Sequence, residues 1–164
     1  MAGGPILPSS VYLGGASGIL ASGVYIPATN SNNAGAIEGI SCAASLSADA
    51  AAILQFNLPE LIPTGALKLR ALAWANATSG AAKVDIADGQ TAAGSNIGAT
   101  TLTTEAGSPT ISQTWSTADV IVENKVTLTT APTANSILTV LVTFRTASWT
   151  LAQISVWAFS LVWE

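Results

Sequence analysis

Short apolar runs separated by turn residues dominate this sequence, and no stretch shows a sustained helical period with a capping signal. From Ser45 onward the runs are Ala52–Pro59, Leu67–Ala75, Ala82–Ala87, Thr100–Thr104, Thr110–Trp115, Lys125–Thr130, Ile137–Arg145 and Ala152–Trp163. Gly, Pro and Asn punctuate them. Strands recurring at roughly 8–12 residues between such turns argue for an antiparallel sandwich or barrel. Within the runs the side-chain period is two. Leu67, Leu69, Ala71 and Ala73 fall on one face, with Lys68, Arg70, Leu72 and Trp74 on the other. Val84 and Ile86 point the same way, as do Val126 and Leu128. Ile137–Arg145 and Ala152–Trp163 are almost continuously apolar, as strands covered on both faces are. The expected fold is all-β, an antiparallel two-sheet sandwich of about eight strands, which suits a jelly roll. Leu67–Ala75 and Ala82–Ala87, joined by Asn76–Gly80, read as a hairpin.

The chemistry available to this fold is thin. The 164 residues include no histidine, one cysteine and 9% charged side chains, against 49% hydrophobic ones. A serine nucleophile needs a base, and Lys68 and Lys83 sit at outward positions within strands, so no catalytic residue is assigned and the chain is not expected to be an enzyme. Cys42 lacks a cysteine partner and a basic neighbour, and reads as a small buried apolar residue. The five cations, Lys68, Arg70, Lys83, Lys125 and Arg145, are scattered, and net charge is −4, which argues against nucleic acid. The longest apolar stretches, Ile137–Phe144 and Val156–Trp163, are far short of the roughly 20 residues of a membrane helix, so no membrane is expected as partner. Met1–Gly23 lacks the positive charge of a secretory leader. So few charges on so apolar a chain suggest that other chains cover part of its surface, in an obligate assembly.

Residues 1–44 differ from the rest, being dense in Gly, Ala, Ser, Pro and Asn with short apolar patches at Val11–Leu13 and Val24–Ile26. They read as an extended N-terminal arm preceding a sandwich domain of residues 45–164. Tyr12, Leu13, Tyr25 and Ile26 are its expected contact residues.

Two constellations invite a site. Asp85 and Asp88, with Asn96, stand where a strand runs into the polar segment Asp88–Gly98, and oxygen ligands of this kind suit calcium. Their spacing matches no EF-hand loop, turn-forming Asp accounts for them equally, and no metal or cofactor is assigned. Of five tryptophans, Trp157 and Trp163 share a face with Phe159 and Leu161 and read as core or interface. Trp74 and Trp115 are the candidates for a sugar-stacking platform.

Phe56, Leu58 and Pro59, then Gly65, Leu67 and Leu69, then Trp74 with Asn76–Gly80, resemble a jelly-roll module of tailed-phage virion structural proteins. The closing part, Val140, Val142, Phe144 and Arg145, then Thr150, Leu151 and the strand ending at Trp163, is similar too. The resemblance covers about residues 45–164. It implies a head decoration (cement) protein on the capsid surface of a virion, without catalysis, with the major capsid protein as partner and a homotrimer as the favoured assembly. The alternative is a tail- or fibre-associated β-sandwich module that binds host carbohydrate through Trp74 or Trp115.

Overall fold

Alternating burial shows how the strands face. Along β4 (Ala50–Asn57), Ala50, Ala52, Leu54 and Phe56 are buried while Ile53 and Asn57 are exposed. Along β10 (Ile137–Phe144), Leu138, Val140, Val142 and Phe144 are buried and the residues between them only half so. A period of two places one set in a core and the other on an outer face. The computed structural model describes residues 4–14, 20–25, 37–42, 46, 48–75, 77–96, 101–104, 110–128, 130–152 and 154–164.

Eleven strands are found among these residues. Besides β4 and β10 they are β1 (Ser10–Gly14), β2 (Leu20–Tyr25), β3 (Ile37–Cys42), β5 (Leu67–Ala75), β6 (Ala81–Thr91), β7 (Thr103–Thr104), β8 (Thr110–Thr114), β9 (Val120–Thr127) and β11 (Ser155–Trp163). Among the described residues one 3-10 turn, Thr146–Ser148, interrupts the β-structure. One sheet runs β1-β4-β10-β6-β7, with β8 also on β6; the other runs β2-β3-β11-β5-β9. All the pairings are antiparallel. The fold is therefore the expected two-sheet antiparallel sandwich of jelly-roll type.

The two inner faces meet in one core. Its centre is aromatic. Trp157 lies edge-on to Trp115 and Phe144, with centroids 5.9 Å and 5.8 Å away, and stacks on Phe159 at 6.4 Å. The neighbouring strand makes room for these rings with small residues: Ala73 lies opposite Trp157 and Ala71 opposite Phe159. Burial of Cys42 fits its sequence reading, and loss of solvation pushes its thiol pKa up.

Two expectations are corrected. The segment before Ser45 is not an arm standing apart from the sandwich. β1 pairs with β4 through Tyr12↔Ile53 and Leu13↔Ala52, and β3 pairs with β11 through Ile40↔Trp157. Ile6 exchanges backbone hydrogen bonds with Leu161 at 2.9 and 2.8 Å. Long-range backbone pairing outweighs the low apolar content of this segment. Tyr25 closes β2, and Ile26 lies outside the described residues.

Nor do β5 and β6 form a hairpin: each belongs to a different sheet. Both bury their apolar face toward the same core from opposite sides, so the connection must cross between sheets. Gly80, at φ +124°, serves that crossing; a Cβ there would come within 3.0 Å of the Leu151 Cα.

Candidate binding face

The outer face of the six-stranded sheet carries side chains that the core does not use. Register puts Tyr12, Ile53, Leu141 and Ala87 in one row across β1, β4, β10 and β6. The next row is Ser10, Gln55, Thr139 and Gly89, and on the other side lie Gly14, Ala51, Thr143 and Asp85. Four strands at about 4.8 Å spacing make a platform roughly 14 Å across. Tyr12 is 57% exposed and Ile53 36%, while Leu141 and Thr139 are half-buried. The platform is thus an aromatic ring and aliphatic surface bordered by hydroxyl and amide groups. Among the described residues, no outward side chain of β1, β4 or β10 is charged.

Charge begins at one end of the platform and is satisfied there. Arg145, just beyond β10, donates from Nη1 to Asp49 at 2.7 Å and from Nε to Asp85. Lys83 adds an ion pair to Asp85 at 3.7 Å. Asp49 also accepts from the Thr146 backbone N–H and hydroxyl, both at 2.9 Å. The Arg145 hydrogen bond and those from Thr146 hold the Asp49 carboxyl below its ordinary range. With its carboxylates engaged in this way, the cluster fixes the corner between β10 and β4.

The sequence-derived site residues divide sharply. Tyr12 and Leu13 lie on the exposed edge strand β1, with Tyr12 on the platform itself. Trp74 and Trp115 are each only 2% exposed, so neither offers a ring to a sugar. Trp115 packs in the core against Trp157; Trp74 stands on the outer side of the other sheet but is covered. Asp85 and Asp88 both lie within β6, which continues to Thr91. Their odd spacing sends Asp85 outward and Asp88 inward, where it is fully buried, so the two cannot share an ion with Asn96. Gln55 and Thr139 escaped sequence reading because an outward polar residue on a strand carries no distinguishing signal until its neighbours are known.

No protein-family description and no curated protein matches this sequence. Similar solved structures exist. The family 11 carbohydrate-binding module from Clostridium thermocellum, determined with a β-1,3-1,4-mixed-linked tetrasaccharide, aligns with TM-score 0.50 at 9% identity, over 93% of this chain and 86% of that one. A family 61 carbohydrate-binding module in complex with β-1,4-galactotriose gives TM-score 0.44 at 15% identity, over 95% of this chain and 90% of that one. The enzymatically active domain of tailspike protein 4 from bacteriophage CBA120 gives 0.41 at 9% identity, over 92% of this chain but 19% of its own. The first similarity shows a shared fold alone, and the other two are too weak to carry an argument. None of these structures is a head decoration protein.

Proposed function

We propose that this chain is a carbohydrate-binding β-sandwich module of a phage tail or fibre. In this reading its ligand, a neutral glycan, lies across the outer face of the β1-β4-β10-β6 sheet. The observation that carries the proposal is a platform whose described outward side chains on β1, β4 and β10 are uncharged, with Tyr12 exposed beside Ile53, flanked by Gln55 and Thr139. Sugars present apolar C–H faces and hydroxyl edges together. A tyrosine ring takes the first, and amides and hydroxyls take the second. No charge need be desolvated, and an anionic sugar would find no unpaired cation among the described residues of the platform. The fold is one that a carbohydrate-binding module shares. The capsid-clamping reading that the resemblance implies drew on apolar interface surface together with an N-terminal arm, and that N-terminal segment contributes strands to this sandwich.

The test is binding to a panel of neutral and acidic polysaccharides, followed by calorimetry on the best ligand. Tyr12→Ala should weaken its Kd about tenfold or more, equivalent to ~1.4 kcal/mol. The edge position of Tyr12 should leave thermal stability unchanged. Binding confined to acidic glycans, or a Tyr12→Ala variant with undiminished affinity, would refute the proposal.

A further inference from the structure

Strand β9 ends its sheet, and among the described residues no strand lies beyond it. It pairs with β5 without interruption over its eight residues, from Val120↔Ala75 to Thr127↔Lys68. It contains no proline, and Val120 and Ile121 are 42% and 53% exposed. An uninterrupted edge of this length is a template for another strand unless something guards it. The only cation on β9 is Lys125, and two residues away stands its complement, Glu123.

We propose that β9 pairs antiparallel with β9 of a second copy of this chain, about a two-fold axis through Asn124. The sequence of the strand is self-complementary about that point: Val122, Glu123, Asn124, Lys125, Val126. Reversed on itself, Glu123 meets Lys125 of the second copy, Lys125 meets Glu123, and the two valines meet each other. Hydrogen-bond parity selects the same register. Leu128 N–H donates to the Leu67 carbonyl at 2.9 Å, so even-numbered residues of β9 turn their backbone groups toward β5. Odd-numbered residues turn theirs to the free edge. The register about Asn124 pairs odd with odd: Ile121 with Thr127 and Glu123 with Lys125, each twice by symmetry. That supplies about eight backbone hydrogen bonds. The nearest registers of the same parity set Glu123 against Glu123 or Lys125 against Lys125, and like charges directly opposite are unfavourable.

Within one subunit, Glu123 already accepts from Arg70 at 2.9 Å, and Lys125 pairs with Glu123 at 2.9 Å and with Glu164. Both keep exposed surface, 40% for Glu123 and 31% for Lys125, so the contacts between copies extend an existing network. A two-fold axis of this kind runs perpendicular to the joined sheet. Both copies therefore present their six-stranded sheets to the same side.

Sedimentation of the full chain over a range of concentrations tests the pairing, with three variants as probes. The wild type should sediment as a dimer, at twice the 16.5 kDa of one chain. Ile121→Pro removes an N–H that points only to the free edge, a position where a strand tolerates proline. It should give a monomer whose circular dichroism matches the wild type. Asn124→Cys places two thiols across the axis, where opposed Cα atoms lie about 4.5 Å apart, within disulfide range. It should oxidise to a covalent dimer, whereas Thr127→Cys, far from its own copy, should not. A wild-type monomer or trimer, a folded Ile121→Pro dimer, or cross-linking at 127 in place of 124 would each overturn the proposal. None of these readouts depends on sugar, so the result stands apart from that of the binding assay.

Discussion

Truncation of Trp157 probes the core most directly. Its side chain is fully buried, touches Trp115, Phe144 and Phe159, and donates from Nε1 to the buried Ser155 Oγ at 3.0 Å. Trp157→Ala removes the indole from between two sheets whose backbones are fixed by pairing on both sides, so the void cannot close. Such truncations cost about 3–5 kcal/mol, and the upper half of that range applies here because three ring contacts go together. Trp157→Phe keeps a ring in the cluster. It loses some volume and the Ser155 hydrogen bond, which together cost roughly 2 kcal/mol. For a domain of this size 1 kcal/mol moves Tm by about 2–4 °C, giving drops of roughly 4–8 °C for Trp157→Phe and 8–20 °C for Trp157→Ala. Urea titration followed by far-ultraviolet circular dichroism measures both, and a stability of about 5–15 kcal/mol leaves room for the difference to be seen. Equal losses in the two variants, or a loss below about 2 kcal/mol for Trp157→Ala, would refute the packing argument.

Acid should weaken the fold in a defined window. Hydrogen bonds from Lys125 and then Lys68 hold the Glu164 carboxylate at a pKa of about 2, against an ordinary 4.5. The unfolded chain therefore binds the proton more readily. This contribution is complete above pH 4.5 and lost as pH falls toward 2, and a Glu164 titration midpoint near 4.5 by NMR would contradict it. Cys42 should resist a thiol reagent in the native protein and react once urea unfolds it; rapid native labelling would show that the site is open.

Most of the strands from β4 to β11 were legible because a period of two needs no knowledge of the partner, although β6 runs on through Asp88–Thr91 and β9 begins at Val120, ahead of the expected start at Lys125. Leu67, Leu69, Ala71 and Ala73 point inward as their alternation requires, and so do Val84 and Ile86. What sequence could not convey was pairing over distance. The Gly- and Ser-rich stretch around β1 to β3 carries weak periodicity, and its strand character comes from β4 and β11, far along the chain. The Asn76–Gly80 turn likewise indicates a reversal without saying into which sheet the chain returns. For the candidate site, alternation placed Trp74 outward but could not show that it is covered. Tyr12 stood out as an aromatic contact residue, while its setting among Ile53, Gln55 and Thr139 depended on the register of three strands.

The position of β11 has a consequence for how the chain acquires its structure during synthesis. It follows the other described strands in sequence, yet it lies at the centre of its sheet, between β3 and β5, with Ile6 bonded to Leu161 farther along. Until residues 155–163 have left the ribosome, β3 and β5 have no common neighbour, and Leu69, Ala71 and Ala73 face water. Folding cannot proceed strand by strand from the N-terminus. It must wait until residues 155–163 have been made and then close its longest loops at once, which is the slow, aggregation-exposed regime of high contact order.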